Sequence, residues 1–236
     1  VALALFEGSD GRACRPAPDT GLSGVEMITL YGESMWDSPW VLTAYVALRE
    51  KGIDFETRAL DLTAGEQSTP GYRDASLTAR VPSIDHDGFV LSESQAIVEY
   101  LEEAFPAPDF PPLYPDSIQD RARARQIMAW LRTDLGALRA ARPTTAIFFA
   151  PVSTPLSERA LAARDKLFSV AERLVPEVGG SIFAYVTMAD VDLALALQRL
   201  IANGDAVPAR LVDYAREIWR RPSVQSFVAQ DRPKMH

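Results

Sequence analysis

The sequence predicts an α/β unit followed by an all-helical unit, and three observations support this prediction. Short apolar strands alternate with amphipathic helices over residues 27–105. Five prolines crowd residues 106–115, a density that excludes regular structure and indicates a stiff linker. Beyond this linker, apolar residues recur at helical spacing, and no segment alternates in polarity for long enough to indicate a strand.

The first unit, residues 27–106, contains seven predicted elements. Apolar runs indicate its strands, and Asp87-Gly88 is a turn signal that joins the last two strands as a hairpin. In chain order the elements are a strand over 27–31, a helix over 38–52, a strand over 54–60, a helix over 71–75, strands over 81–84 and 89–91, and a helix over 94–105. This order predicts a small mixed sheet with helices on its faces.

The second unit, residues 107–236, is predicted to be a helical bundle that follows the linker over about 106–115. Its predicted helices are 116–141, 155–175, 188–202 and 208–220. Residues 1–26 contain glycine, proline and serine turn signals without periodicity, so we expect a flexible extension. Cys14 lies in this extension and is expected to be an exposed thiol rather than a nucleophile.

Composition excludes several classes of function. The 24 basic and 32 acidic residues of this 236-residue chain give a net charge of -8, the wrong sign for binding nucleic acid or an anionic membrane surface. Cys14 is the only cysteine, and His86 and His236 are the only histidines, so we expect no disulfide and no metal site. No apolar run is long enough to span a bilayer, and the apolar start lacks a basic region, so the cytoplasm is the expected location.

Ser38-Pro39-Trp40 stands at the start of the first predicted helix. Serine is a good N-cap and proline is favoured in the first turn, so these residues can simply begin a helix. The same geometry also suits chemistry, because a hydroxyl at the positive end of a helix can donate a hydrogen bond to a thiolate and lower its pKa. Both interpretations fit the sequence at this point.

Two later segments can also bind a ligand. In Arg80-Val81-Pro82 the proline can mark a strand edge, or a cis bond can turn the Val81 backbone toward a peptide-like substrate. Glu93 and Ser94 begin the next helix, where they can serve as ordinary helix-start residues. There a carboxylate could instead meet the helix N–H groups while Glu93 takes an ammonium, which would suit the zwitterionic end of an amino acid.

These three features, in this order and between these strands and helices, resemble the glutathione transferase family over residues 27 to about 228. Residues 65–70 look like the loop after the second strand of bacterial and theta-like members. Residues 187–190 look like the family's capping box at the start of a buried helix. The resemblance implies a thioredoxin-like N-terminal domain that holds glutathione and a helical domain that supplies much of the second-substrate pocket.

Carried over residue by residue, the resemblance makes Ser38 the hydroxyl that faces the glutathione sulfur. The implied glutathione contacts are Val81 and Pro82 for the cysteinyl backbone, Glu93 and Ser94 for the γ-glutamyl group, and Gln67 and Arg80 for the glycyl carboxylate. Glutathione would be a co-substrate, with no tightly bound cofactor and no metal. The resemblance also implies a homodimer.

The sequence departs from several branches of the family. Many animal classes use a tyrosine on or just after the first strand, so Tyr31 is the alternative to Ser38; we prefer Ser38 because Tyr31 precedes the loop. A catalytic cysteine is excluded, and the Ser-Ser-Cys pattern of maleylacetoacetate isomerases is absent. Residues 38–42, 47–52 and 121–126 look most like a bacterial branch with glutathione-dependent peroxidase activity.

Two alternatives remain open at this stage. A non-catalytic interaction protein could keep this fold, although the ligand residues are all present here. A glutathione-dependent lyase or dehalogenase would share the first domain and differ in the second.

Four arginines of the predicted helix 116–141 form one stripe. Arg121, Arg125, Arg132 and Arg139 fall within about 40° of one another at 100° per residue. Such a stripe most often faces solvent or pairs with acidic residues, of which this chain has many. The alternative is a role in a cleft or dimer interface, where it would attract an anionic ligand.

Overall fold

A computed structural model describes residues 27–234 of the chain. The predictions for residues 1–26, with Cys14, and for His236 therefore lie outside the described residues. The N-terminal domain contains a four-stranded sheet in the order β2-β1-β3-β4. Its strands are β1 (Ile28–Glu33), β2 (Phe55–Leu60), β3 (Ser83–His86) and β4 (Phe89–Ser92). Strands β1 and β2 are parallel and the other two pairs are antiparallel, so the predicted mixed sheet is confirmed.

Three helices cover the sheet: α1 (Pro39–Glu50), α2 (Pro70–Ala75) and α3 (Ser94–Ala104). A short 3-10 turn, Glu66–Ser68, precedes α2. Helix α1 is buried over residues 41–48 without interruption, because it packs both within its own domain and against the helical domain. Its apolar face is therefore wider than that of a helix at a protein surface.

The helical domain has seven helices among the described residues: α4 (Ile118–Thr133), α5 (Gly136–Ala141), α6 (Thr145–Phe148), α7 (Glu158–Leu174), α8 (Met188–Asn203), α9 (Ala209–Trp219) and α10 (Pro222–Val228). The predicted class, a thioredoxin-like domain followed by a helical domain, is confirmed. No helix among residues 27–234 is long and apolar enough to cross a membrane.

The single predicted helix over 116–141 is wrong. It is divided between α4 and α5, and Asp134 ends α4. The Asp134 carboxylate accepts a hydrogen bond from Trp130 Nε1 at 2.9 Å, and Gly136, a weak helix former, begins the next helix. Helices α6 and α10 were not predicted because four and seven residues are too few to show a helical period.

Helix α8 lies at the centre of the helical domain and begins with the predicted capping box. Asp190 Oδ2 accepts hydrogen bonds from the Thr187 N–H at 2.8 Å and the Thr187 hydroxyl at 2.9 Å. Most of the helix is buried, which fits its nearly continuous apolar sequence. From this central position Asp192 reaches Thr43 of α1, whose hydroxyl donates to it at 2.8 Å, and so links the two domains.

Candidate active site

An open cleft of about 560 Å³ lies at the N-terminus of α1. It brings together four residues that the sequence analysis selected, although they come from three separate segments. Its lining residues are Glu33, Asp37, Ser38, Leu62, Gln67, Ser68, Ala79, Arg80 and Val81. Among residues 27–234 no group of three His, Cys, Asp or Glu could hold a metal ion.

Ser38 is the N-cap of α1. Its extended backbone leads into Pro39 at the first helical position, and its Oγ accepts a hydrogen bond from the Val41 N–H at 3.4 Å. This contact is long for a cap, and the side chain is only half-buried. The hydroxyl proton can therefore be donated to a group in the cleft while Oγ still accepts from the helix.

Glu33 holds the loop that carries Ser38, and the sequence analysis missed it. Its Oε1 accepts hydrogen bonds from the N–H groups of Asp37 and Ser38, both at 2.7 Å. Only 5% of the residue is exposed, and Oε2 is buried without a hydrogen-bond partner among the described residues. Burial raises the pKa of Glu33, although the two backbone hydrogen bonds work against that shift.

A carboxylate at the end of a strand, five residues before a helix N-cap, would have been the available signal for Glu33. Such a side chain can fold back on the N–H groups of the loop that follows the strand. In the sequence alone, a single glutamate at this position looks like an ordinary exposed residue.

The opposite wall of the cleft carries Gln67, Arg80 and Val81. Gln67 Nε2 donates to the Leu62 carbonyl at 3.5 Å, while its Oε1 is buried and has no partner within residues 27–234. Val81 lies before the first pair of the β1–β3 ladder, and the Val81–Pro82 bond is cis. Arg80 is exposed, so its guanidinium is available to an anion.

Glu93 and Ser94 do not line this cleft. They follow Ser92, which pairs with Ser83 beside the Val81–Pro82 bend. Glu93 is exposed and has a φ of 73°, a left-handed conformation that is uncommon for a residue with a side chain. Ser94 is buried, and its Oγ accepts a hydrogen bond from Arg132 Nη1 at 2.8 Å.

Tyr31 and Ser38 line different clefts. The Tyr31 ring contacts the Tyr72 ring, with centroids 5.5 Å apart, in a cleft that Arg58 and Asp85 also line. Tyr31 points to the side of the sheet opposite the buried Leu30, as alternation along a strand requires. The structure therefore separates the two hydroxyls that the sequence analysis left in competition.

A second, narrower pocket lies between the domains, and its lining includes the two residues that follow Ser38 in the chain. Pro39 and Trp40 form one side of it, and α4, α5 and α8 form the other. Its volume is about 30 Å³, enough for a small group but not for a whole organic substrate. Its lining residues are Pro39, Trp40, Leu131, Arg132, Leu135, Leu138, Arg139, Asp192, Leu195, Ala196 and Arg199.

Comparison with protein-family models gives two matches. Residues 37–104 match the N-terminal domain of glutathione S-transferases, and residues 117–232 match their C-terminal domain.

Comparison with curated proteins gives relatives of the same kind. The chain is 36% identical to mouse glutathione S-transferase theta-3 over 39% of this chain and 37% of that protein. It is 38% identical to Dianthus caryophyllus glutathione S-transferase 1 over 42% of this chain and 43% of that protein. These matches thus span less than half the length of either relative. The Dictyostelium discoideum maleylacetoacetate isomerase is 30% identical over 72% of this chain and 78% of its own length.

Solved structures give longer matches. A glutathione transferase homologue from Burkholderia GL BGR1, crystallised with bound glutathione, has a TM-score of 0.70 and 39% identity. That match covers 86% of this chain and 96% of the Burkholderia chain. The theta class enzyme of Xanthomonas axonopodis pv. citri, also with glutathione bound, has a TM-score of 0.67 at 24% identity, covering 87% of this chain and 99% of its own. At 24% identity the match to the Xanthomonas enzyme supports the fold alone.

Proposed function

This chain belongs to the glutathione S-transferase family, and from that premise we propose that it binds glutathione in the cleft at the N-terminus of α1 and activates the thiol. The observation that carries the proposal is the convergence of Ser38, Gln67, Arg80 and Val81 on one cleft. These four residues are among those that the resemblance selected, and the bound glutathione in the Burkholderia homologue supports the same ligand.

The cleft offers what a thiolate needs. The first N–H groups of α1 and its positive dipole end lie beside Ser38, and a Ser38 hydroxyl that donates to sulfur would favour the charged form. Glu33 keeps the Ser38 N–H in place through its 2.7 Å hydrogen bond. Thiolate stabilisation, rather than a metal or a tightly bound cofactor, is the proposed basis of catalysis.

The remaining contacts follow the shape of the tripeptide. The N–H and C=O of Val81, next to Pro82, would pair with the cysteinyl unit as an added strand. Glu93 and Ser94 would take the γ-glutamyl group, and Gln67 and Arg80 the glycyl carboxylate. The unpartnered Oε1 of Gln67 would accept a hydrogen bond from the glycyl amide N–H of the ligand, because a carboxylate has no proton to donate.

The proposed reaction begins with attack of the thiolate on an electrophile. With a hydroperoxide, sulfur bonds to the terminal peroxide oxygen, the O–O bond breaks, and the alkoxide takes a proton to leave as an alcohol. A second glutathione then displaces water from the sulfenic acid and gives the disulfide. With a carbon electrophile, the C–S bond forms as the leaving group departs. We propose that the enzyme works as a homodimer in the cytoplasm.

A related isomerase favours a second candidate function. The Dictyostelium protein named maleylacetoacetate isomerase aligns with 72% of this chain, which supports an enzyme that uses glutathione on another class of electrophile. A lyase or dehalogenase belongs to the same group of alternatives. A non-catalytic interaction protein is the remaining alternative, and it would not require this cleft to bind glutathione.

Calorimetric titration with glutathione, followed by a cumene hydroperoxide assay on the same sample, tests the proposal. Binding with turnover is the expected result. Binding without turnover would direct the search to carbon electrophiles and isomerisable substrates. A folded sample that does not bind glutathione would overturn the proposal in favour of an interaction protein.

A further inference from the structure

The arginine stripe that the sequence predicts divides into two halves with different surroundings. Arg125 of α4 forms two hydrogen bonds with Glu99 at 2.8 and 2.6 Å, and Arg121 lies 3.7 Å from Glu102. This half pairs with acids, as most such stripes do. The other half, Arg132 and Arg139, lines the narrow pocket between the domains, with Arg139 carried by α5 rather than α4.

The narrow pocket contains more positive than negative charge. Its lining includes three arginines, Arg132, Arg139 and Arg199, and one acid, Asp192. Asp192 Oδ2 accepts a hydrogen bond from Arg132 at 3.2 Å, while its Oδ1 accepts from the Thr43 hydroxyl. The single carboxylate is therefore already engaged.

Arg139 and Arg199 have no carboxylate partner among residues 27–234. Arg139 Nη1 donates to the Leu131 carbonyl at 2.9 Å, and Arg199 Nη1 donates to the Arg142 carbonyl at 2.9 Å. Burial is the main cause that lowers the pKa of Arg199 to about 10, and the charge of Arg139 lowers it further. The negative charge of Asp37, which lines the cleft, acts to raise this pKa. The positive charge of Arg139 therefore disfavours the charged form of Arg199, as a like charge does in a buried place.

Two of the three arginines lie over the ring of Trp40. The guanidinium carbon of Arg132 lies 4.4 Å from the ring centroid and that of Arg139 lies 5.9 Å from it. The Nε of Arg132 is buried and has no hydrogen-bond partner within the described part of the chain. A small anion in this pocket would lie close to these guanidiniums, beside Trp40 and the leucine side chains that line it.

We propose that this pocket receives the anionic group of the second substrate, so that the enzyme prefers acceptors with a carboxylate on an apolar body. The inference rests on the proposed glutathione function and adds the substrate class. A pocket of about 30 Å³ suits a carboxylate, and the apolar body would extend from Trp40 toward the cleft at Ser38. Pro39 and Trp40 follow Ser38 directly, so the anion and the reacting atom can belong to one small molecule.

The test uses two acceptors of nearly equal shape, 4-(chloromethyl)benzoate and its neutral analogue 4-(chloromethyl)benzamide. In each, the glutathione sulfur bonds to the benzylic carbon, the C–Cl bond breaks, chloride leaves, and the thiol proton passes to solvent. For each acceptor, kcat/KM is divided by the rate constant of its uncatalysed reaction with glutathione, so that a difference in intrinsic reactivity does not count as a preference of the enzyme. We expect the carboxylate to be preferred at least about tenfold.

Arg139 is the arginine to change, because it is less buried than Arg199 and, unlike Arg132, is not paired with Asp192. Arg139→Gln should reduce the preference for the carboxylate at least about fivefold, whereas Arg139→Lys should keep most of it. Arg216→Gln, which removes one exposed charge from α9, is the matched control and should keep the preference. Competitive inhibition of the unmodified enzyme by 4-methylbenzoate and 4-methylbenzamide gives the same comparison without a variant.

Equal use of the two acceptors, or a preference that survives Arg139→Gln, would overturn the inference. A carboxylate of glutathione itself is the other source of an anion. If Arg139→Gln weakens glutathione binding in calorimetry and leaves the acceptor preference intact, the pocket belongs to glutathione and the inference is wrong. Absence of turnover with both acceptors, in a sample that does not bind glutathione, would instead overturn the proposed function on which the inference rests.

Discussion

Replacing Ser38 with alanine should reduce turnover much more than it reduces stability or glutathione binding. A hydrogen bond to a charged group contributes about 1.5–3 kcal/mol, so loss of the donor to the thiolate should lower kcat by roughly 10- to 150-fold. The hydroxyl also caps α1, but its contact with the Val41 N–H is long at 3.4 Å. The loss of folding stability should therefore be near the lower limit for an N-cap, about 0.5 kcal/mol.

The assay measures kcat with cumene hydroperoxide at saturating glutathione, the glutathione Kd by calorimetry, and unfolding in urea. Ser157→Ala is the matched control, because Ser157 caps α7 with a similar 3.3 Å contact to the Ala160 N–H and is exposed away from the cleft. Both variants should lose a similar, small amount of stability. If kcat of Ser38→Ala agrees with that of Ser157→Ala within about twofold, Ser38 does not stabilise the thiolate.

Three further predictions concern polar contacts at the end of α1 and the start of α8. Lys51→Met should lower the free energy of unfolding by about 3 kcal/mol in urea, because it leaves Glu102, buried and 2.7 Å from the Lys51 ammonium, with only the more distant Arg121 at 3.7 Å. An added Glu102→Gln should recover part of the loss, and no recovery would contradict the pairing. Asp190→Ala should cost at least about 3 kcal/mol, because four donors lose their acceptor; a loss below about 1 kcal/mol would show that those bonds are dispensable. Burial alone would raise the pKa of Glu50, but hydrogen bonds from Arg221 and Ser223 outweigh burial and lower this pKa. Glu50→Gln should therefore cost about 1–2 kcal/mol of folding stability at neutral pH. That difference should disappear as the pH falls below the ordinary value of 4.5, since the unmodified protein then loses the same stabilisation; a difference independent of pH would refute the assignment.

Much of the fold could be read from local signals. Every predicted strand and helix of the first domain is present in the structure, with ends shifted by a few residues. The hairpin follows from Asp87 and Gly88, whose φ angles of 51° and 90° are those of a tight two-residue turn. The capping box at Thr187 and Asp190 could also be predicted from the sequence, because a cap depends on residues only three positions apart.

Only part of the candidate site could be predicted from the sequence. Ser38 and Val81 could be selected because a helix cap and a proline at the start of a strand leave a mark in the sequence. Glu33 could not, since its partners are the N–H groups of a loop whose path no local pattern describes. The sequence analysis preferred Ser38 to Tyr31 only from their places in the chain, because the cleft that each residue lines depends on the tertiary structure.

The sequence by itself determined the order of elements in the first domain, the domain class and a set of candidate site residues. These properties depend on hydrophobic period, caps and turns, whose physical causes act over a few neighbouring residues. Only the tertiary structure decided that Arg121 and Arg125 pair with acids of α3, while Arg132 and Arg139 line the pocket between the domains. Arg132 reaches Asp192 across 60 residues of sequence, and Thr43 reaches it across 149. Contacts of that span arise from the packing of whole helices, which local sequence patterns do not encode.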